Sequence, residues 1–566
     1  MMSRRELLQS SLAAASVMPA VAAEAASQTG TPARYDLVVY GATAAGVITA
    51  ISAARHGLKV ALAEPRHYVG GMVSGGLSGT DVGRREVIGG MALEFYFRAG
   101  RYYELDRHLQ EIAWQPEPKV AERIFREWLA EAGVELLERH RLQKKTGVRK
   151  QGSRIVEIVM ENGARLAARV FADASYEGDL MAQAGVRYTV GREGIAQYGE
   201  SLAGVRAVTP HHQFPVPISA YDEQGRLLPE ISPEPRGEPG SGDHRVQAYN
   251  FRVIATNVPE NRVPWPKPDN YDPWRYELLA RYLAALTKYL GRSPTFNEVS
   301  LLRRIPNGKV DVNNRGGFSS DYIGKNYRYP DGSYAERERI WREHEEYQKG
   351  FYYFLAHDRR VPAELQQEVR SYGLAKDEFL DTGHWPNQLY IREARRMVGE
   401  FVATQKDLQT DRTKPDVIGM GSYNSDSHNV QRFVNEKGFV ENEGDVQVPV
   451  QPYQFPYRIL LPRRSEAENL LVPVCFSASH VAYSSLRMEP QYMIIGHAAG
   501  VAAALAVRDN VAVHDIPVAE LQKILLEEGA VFEYGCEHHA RALAIIRKRY
   551  APPPRKGPVP WSLPGY

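Results

Sequence analysis

The chain has 566 residues, 43% of them hydrophobic and 24% charged. That composition describes a globular protein with a large core and excludes a disordered, collagen-like or coiled-coil chain; the length asks for several domains or one large elaborated one. A net charge of +2 supplies neither the basic field that nucleic acid needs nor a polybasic patch for anionic lipid, and two cysteines exclude a disulfide scaffold, a four-cysteine zinc site and a cysteine-ligated iron–sulfur cluster.

The first segment reads as an address. Ser3-Arg4-Arg5-Glu6-Leu7-Leu8-Gln9 is a twin-arginine pattern, Leu12 to Met18 is weakly apolar, and small residues at 20–25 offer cleavage options. This order predicts a twin-arginine signal peptide over residues 1–26 and a periplasmic or secreted mature protein. No later stretch reads as long and apolar enough for a membrane helix, so neither an integral membrane segment nor a nucleic-acid partner is expected.

Next comes a strand–turn–helix–strand unit. Tyr35 to Tyr40 is short, apolar and β-branched, as a buried parallel strand is. Gly41-Ala42-Thr43-Ala44-Ala45-Gly46 opens a helical run from Val47 to His56, and a second strand, Lys59 to Ala63, ends in Glu64. The helix N-terminus of such a unit faces a pyrophosphate, because its free N–H groups and its dipole both favour negative charge. Gly41 permits the tight turn and Gly46 the close helix–strand packing. Glu64, followed by Pro65 and Arg66, stands where a ribose hydroxyl would sit. Thr43 replaces the usual middle glycine, and its hydroxyl is expected to donate to a phosphate oxygen. Two glycine pairs follow in Gly70-Gly71-Met72-Val73-Ser74-Gly75-Gly76-Leu77, which points to backbone lying against a long rigid ligand such as pyrophosphate and isoalloxazine. No second G-x-G-x-x-G occurs, so a separate NAD(P)H domain is not expected.

These segments resemble the secreted FAD-dependent oxidoreductases of the glutathione-reductase-like superfamily, specifically the group with GGTxAG-type turns and a GGMxxGGL loop. Further resemblance lies in Ala168 to Asp179 (with Asp173, Ala174 and Asp179), Arg392 to Arg396, Asp426-Ser427-His428, Ser479 to Ala482, Arg487-Met488-Glu489-Pro490 and Gly496 to Gly500, so that it spans residues 34–512. It implies an α/β fold whose Rossmann-like FAD-binding domain is built from N- and C-terminal segments, with an inserted α+β substrate domain. The implied division is 34–204 and 451–512 for the two FAD-binding sections, 205–450 for the substrate or cap domain, and 513–566 for a C-terminal helix and proline-rich tail. The implied cofactor is FAD, held by Gly41, Ala42, Thr43, Ala45, Gly46, Glu64, Pro65, Arg66, Gly70, Gly71, Met72, Gly75, Gly76, Leu77, Asp173, Ala174, Asp179, Arg487, Met488 and Glu489. A noncovalent cofactor is expected, since no His, Cys or Tyr stands inside the double-glycine loop; His67 and His480 are the exceptions to check.

The C-terminal return also reads from its own residues. Asn469 to Phe476 is apolar like a buried strand, and Pro490 to Val507 predicts a helix whose Gly496, Ala499, Gly500 and Ala503 recur at helical spacing, a face suited to close packing. In the middle region, rich in Pro, Tyr, Trp and Asn, helices are expected over Ala335–Ala356 and Tyr390–Lys406. Candidate catalytic groups are His428 as general base with Asp426 setting its tautomer, His480 as second candidate, and Tyr423, His384 and Arg395, the last on a helix face shared with Arg392 that clamps a carboxylate or sugar hydroxyls. No metal site is expected. The function this supports is oxidation of a C–H/CH–OH group of a small carbohydrate, polyol or organic acid, with oxygen, a quinone or a periplasmic carrier as electron acceptor. The competing readings are an FAD-containing lyase or isomerase and a non-catalytic binding module.

Overall fold

The computed structural model describes residues 31–107 and 111–550; the twin-arginine segment and the proline-rich tail at 551–566 lie outside the described residues. The N-terminal unit forms β1 (Ala33–Tyr40), α1 (Ala44–Arg55) and β2 (Val60–Ala63). Parallel pairing sets Leu37–Tyr40 against Val60–Ala63 on one side and against Val170–Asp173 on the other. With β3 (Glu135–Leu137), β4 (Val148–Gln151), β5 (Arg154–Val159) and β6 (Arg165–Asp173), the sheet runs in the order β3-β2-β1-β6-β5-β4. The outer edge of β6 is shared: its first half pairs antiparallel with β5, and Phe171–Ala172 pair parallel with Leu470–Leu471. The chain therefore closes its first sheet with residues some 300 positions downstream. A Rossmann-like domain assembled from both ends of the chain is the result.

Close backbone contacts hold this unit together. Gly41 has φ +97°, and a Cβ on Gly46 would lie 1.9 Å from the Gly41 carbonyl oxygen, so the turn admits no side chain there. The helix at the return, Glu489–Asp509, packs along α1 in parallel: a Cβ at Gly496 would meet the Ala45 carbonyl at 2.5 Å, and one at Gly500 the Thr49 carbonyl at 2.6 Å. Ser52 Oγ donates to the His497 carbonyl (3.0 Å), tying the two helices. Contrary to the sequence reading, Glu489–Asp509 is long and apolar enough to cross a membrane, but it is buried inside the protein and serves as a core helix. Of the strand expected over Asn469–Phe476, only Leu470–Leu471 joins the sheet ladder.

The inserted region is α+β. A five-stranded antiparallel sheet takes strands Ser300–Ile305, Lys309–Asn314, Val253–Thr256, Gly373–Ala375 and Arg262–Val263 in that spatial order. The long helix Tyr334–His357 forms as expected; its Trp341 meets Phe251 edge to face, and its Tyr347 stacks on Tyr322 at 4.1 Å.

The helix expected over Tyr390–Lys406 is absent. Arg395–Met397 is instead a strand paired antiparallel with Tyr188–Val190, and the only helix nearby is the short Gln405–Gln409. Each charged side chain has a separate buried partner: Arg392 reaches Asp321, Arg395 reaches Asp179, and Arg396 reaches Glu193. Those partners lie in different directions, and an extended backbone serves them where a helix would place Arg392, Arg395 and Arg396 on one face. Tertiary ion pairing overrides local helix propensity here.

Thr43 also departs from expectation. Its hydroxyl donates to the Ala174 carbonyl (2.7 Å) and accepts from the Gly46 N–H (3.2 Å), capping α1 and joining it to the end of β6. The proton is spent inside the protein and not on a phosphate. Thr43→Val should therefore destabilise the flavin-free protein by about 1–2 kcal/mol in denaturant titration; unchanged stability with weakened cofactor binding would return the hydroxyl to the phosphate role.

Candidate active site

A cleft of about 400 Å³ opens at the carboxyl ends of β1, β2 and β6. Its walls are the Gly41–Thr43 turn, Glu64 to Arg66, Gly71, the Ser175–Asp179 turn and the helix carrying Tyr334, Arg337 and Trp341. Glu64 sits at its inner edge: one carboxylate oxygen accepts from the Ala42 N–H (2.8 Å), the other from the Arg66 N–H (3.0 Å). Burial pushes its carboxyl above the usual range, opposed by Arg66 and those two N–H groups. Each oxygen keeps a lone pair for a ligand hydroxyl. The Arg66 guanidinium lies over the Trp341 ring (4.6 Å) and donates to the Asn387 carbonyl (2.6 Å), joining the first section to the inserted domain.

Three expected cofactor residues do structural work. Asp173 faces inward, accepting from Ser175 N–H and Oγ and from Met181 N–H, with its carboxyl raised to about 6 by burial. Ala174 gives its carbonyl to Thr43. Asp179 lines the cleft but is gripped by Arg337 (2.6 Å) and Arg395 (2.8 Å). Arg395 is thereby a clamp on Asp179 and Asp331 rather than on a substrate.

The double-glycine loop lies beside the first turn. Gly70 N–H donates to the Ala42 carbonyl (2.7 Å), and Met72 N–H to the Tyr176 hydroxyl (2.8 Å). Gly75 abuts the Gln388 side chain, Gly76 abuts the Arg252 carbonyl, and Leu77 N–H closes back on Met72. The Tyr176 hydroxyl in turn donates to Glu489 (2.7 Å). One phenol thus joins the turn after β6, the glycine loop and the start of the return helix, whose N-cap is Met488. Glu489 Oε2 and both amide atoms of Gln491 are buried with no hydrogen-bond partner among the described residues. Buried polar atoms are nearly always paired, so these atoms are open to a ligand's hydrogen bonds.

A polar cluster adjoins that point. Arg487 donates to the Tyr390 hydroxyl (3.0 Å) and to the Asp426 carbonyl (2.8 Å). His428 is partnered through Nδ1 by Asp321 (2.6 Å), not by Asp426 as its sequence proximity suggested. Asp426 instead stands 3.6 Å from Arg487, while His428 turns to Asp321. Burial opposes ionisation of Asp321, yet Arg392 and His428 hold it down at about 2. Burial, then Arg392, push His428 down to about 3, so the ring is neutral across the physiological range. Tyr423 is close to Asp426 and Asp81, and burial drives its hydroxyl pKa far up.

Three histidines fall elsewhere. His480 begins the helix His480–Leu486, bonds through Nδ1 to Glu393 (2.8 Å), and belongs to a closed network with Arg396 and Glu193. His384 is half-buried, bonded to the Glu378 carbonyl (3.1 Å), next to a group in which the Lys309 ammonium fills the space among Glu117, Asp377 and Glu378. His67 pairs with Asp381 at the surface. The contributors the sequence reading missed are Asp321, Tyr176, Gln491, Arg337 and Trp341. Tyr176 sat inside a recognised segment; Asp321 carried no local signal, being 107 residues from His428.

A family model described as FAD dependent oxidoreductase matches residues 36–525. A comparison with curated proteins returns no match. Among solved structures, the chain is similar to the OxyS anhydrotetracycline hydroxylase from Streptomyces rimosus (15% identity, 32% of this chain, 41% of that chain, TM-score 0.23). It is also similar to the L-amino acid deaminase from Proteus vulgaris (16% identity, 29% of this chain, 53% of that chain, TM-score 0.22). A third is the myxobacterial chondrochloren halogenase CndH (19% identity, 28% of this chain, 41% of that chain, TM-score 0.22). The matched part spans between 41% and 53% of the length of these structures.

Glu489 gives this site a pH signature. Burial raises its carboxyl to about 8, with the Tyr176 hydroxyl working the other way. The unfolded chain ionises this group near the ordinary glutamate value while the folded protein keeps it neutral, so stability falls as pH rises from that value to about 8 and then levels. Glu489→Gln, which keeps an acceptor for Tyr176, should stabilise the flavin-free protein at pH 8 by on the order of 1–4 kcal/mol and make little difference below pH ~4.5. Denaturant midpoints across that range measure it; a gain equal at both ends would contradict the assignment.

Proposed function

The chain belongs to the FAD dependent oxidoreductases, and on that footing we propose that it is an exported enzyme oxidising a CH–OH group of a small polar substrate, a carbohydrate, polyol or organic acid. The twin-arginine pattern at Arg4-Arg5 supports export, and oxygen, a quinone or a periplasmic carrier then takes the electrons.

The residues present fit FAD. Glu64 offers free lone pairs to a ribose, and the first turn of α1 offers N–H groups and a positive dipole end to a pyrophosphate. At the other end, Glu489 Oε2, buried without a partner among the described residues, offers a hydrogen-bonding group to a flavin ring. When bound, FAD supplies the hydride acceptor.

The observation that carries the reading is the buried Asp321–His428 pair. Asp321 accepts a hydrogen bond from Nδ1–H and fixes the tautomer, leaving the Nε2 lone pair for a substrate hydroxyl proton. The low basicity of the resting ring keeps it unprotonated and ready, and the Asp321 carboxylate stabilises the imidazolium as it forms. Arg392 and Arg487 stand ready for negative charge developing on the substrate.

The test is anaerobic mixing of the purified yellow protein with a panel of sugars, polyols and organic acids, following the loss of flavin absorbance. Bleaching supports the oxidoreductase reading. Turnover without bleaching would favour a lyase or isomerase, and a colourless protein releasing no nucleotide on denaturation would favour a binding module. With a bleaching substrate, His428→Ala should slow reduction on the order of 10²-fold or more; a near-normal rate would remove His428 from the mechanism.

A further inference from the structure

Two buried guanidiniums in the polar cluster lack a full complement of partners. Arg392 and Arg487 are 1% and 3% exposed and come from separate segments. Both nevertheless lie against the Tyr390 ring, 4.6 and 6.0 Å from its centre. The Nε of each has no hydrogen-bond partner among the described residues. Arg252, in the same electrostatic neighbourhood, shows the contrast: its Nε and Nη2 both reach Asp311 at 2.9 Å, a closed fork-to-fork pair. Arg487 spends its Nη groups on a phenol and a backbone carbonyl, while the Asp426 carboxylate stands 3.6 Å away with Oδ1 unpartnered among the described residues. Arg392 has Asp321, whose other oxygen serves the neutral His428, so on Arg392 it is the Nε hydrogen bond that stays open.

A buried guanidinium without a dedicated anion is costly. A sugar or polyol can fill its hydrogen bonds but brings no charge, whereas a carboxylate brings two oxygens in the spacing a guanidinium fork accepts, together with the missing charge. We propose that Arg392 and Arg487 together bind the substrate's carboxylate, so that the molecule oxidised beside His428 is a 2-hydroxy acid. This rests on the reading of the cluster as the catalytic centre. A 2-hydroxy acid carries its carbinol on the carbon next to the carboxylate, and Asp321 joins Arg392 to His428, so anchoring the carboxylate brings the hydroxyl to the base. The hydroxyl proton would go to His428 Nε2, and FAD, when bound, would supply the acceptor for the two electrons and the hydrogen of the carbinol C–H, the product being the 2-oxo acid.

The charged and titratable groups around Asp426 are Arg487, Arg392, Asp81, Asp445 and Tyr423. Burial raises its carboxyl to about 7 against the pull of Arg487. Ionised Asp426 and an incoming carboxylate compete for the same guanidinium, so affinity for acids falls as pH rises past 7.

The test titrates the flavin-loaded full chain, under air-free conditions, with 2-oxo and 2-hydroxy monocarboxylates of graded size and with their neutral amides, reading the shift of the flavin absorption band. Acids should bind on the order of 100-fold more tightly than the matching amides, and Arg487→Met should lose that preference. Asp426→Asn, which keeps the backbone carbonyl that Arg487 uses, should flatten the fall in acid affinity between pH 6 and 8, and it serves as the test should Arg487→Met fail to fold. Equal binding of acids and amides, or an Arg487→Met variant with the full preference, would overturn the proposal. Acids that bind through Arg487 without bleaching the flavin would leave the carboxylate site standing and defeat the oxidation reading. Sugars that bleach the flavin while acids neither bind nor bleach would do the reverse.

Discussion

The backbone contact between α1 and the return helix Glu489–Asp509 is the constraint on which the rest depends. Gly496 and Gly500 let the two helices touch carbonyl to Cα, with Ser52 bonded across to His497. The helices run parallel, so both N-termini point to the same end of the sheet. Parallel helix dipoles repel each other, a modest cost that reverses when negative charge lies at their common end. A pyrophosphate and a reduced flavin are negative charges of that kind. The fold therefore holds a poised anion site that only chain from both extremities can complete.

Three further ties convert that crossing into a site. Tyr176 links the turn after β6, the double-glycine loop and Glu489 through two hydrogen bonds. Arg66 fastens the ribose end to the inserted domain through Asn387 and Trp341. The inserted domain then contributes the polar cluster, in which Asp321, Tyr390, Arg392 and His428 are brought to Arg487 of the return section. Low local dielectric strengthens each of these bonds and raises the cost of leaving any polar atom unpaired. That is why the unpaired atoms of Glu489, Gln491, Arg392 and Arg487 are informative.

The sequence made the first βαβ unit legible because its signals are local: an apolar strand, a glycine turn, a helix and an acidic residue in order. The small-residue face of the return helix was legible for the same reason, since its period is written in Gly496, Ala499, Gly500 and Ala503. The stretch from Tyr390 to Lys406 misled because its arginines have helix-compatible spacing, while their partners, Asp321, Asp179 and Glu193, are far away in sequence. Thr43 was assigned to a ligand because its carbonyl partner, Ala174, is 131 residues away. His428 has Asp321 and not Asp426 as its orienting acid, and the other two histidine candidates are bonded to Glu393 and to the Glu378 carbonyl. What was missed in each case is a long-range polar contact, which no local pattern encodes.

The central claim is tested most directly by the FAD content of Gly496→Ala as purified, expressed as flavin per chain. An added methyl 2.5 Å from the Ala45 carbonyl must push the two helices apart, at a cost of about 1–3 kcal/mol, and move their N-termini out of register. The account predicts a folded but less stable protein with markedly substoichiometric flavin. Full flavin content at unchanged stability would show that the crossing does not govern the site.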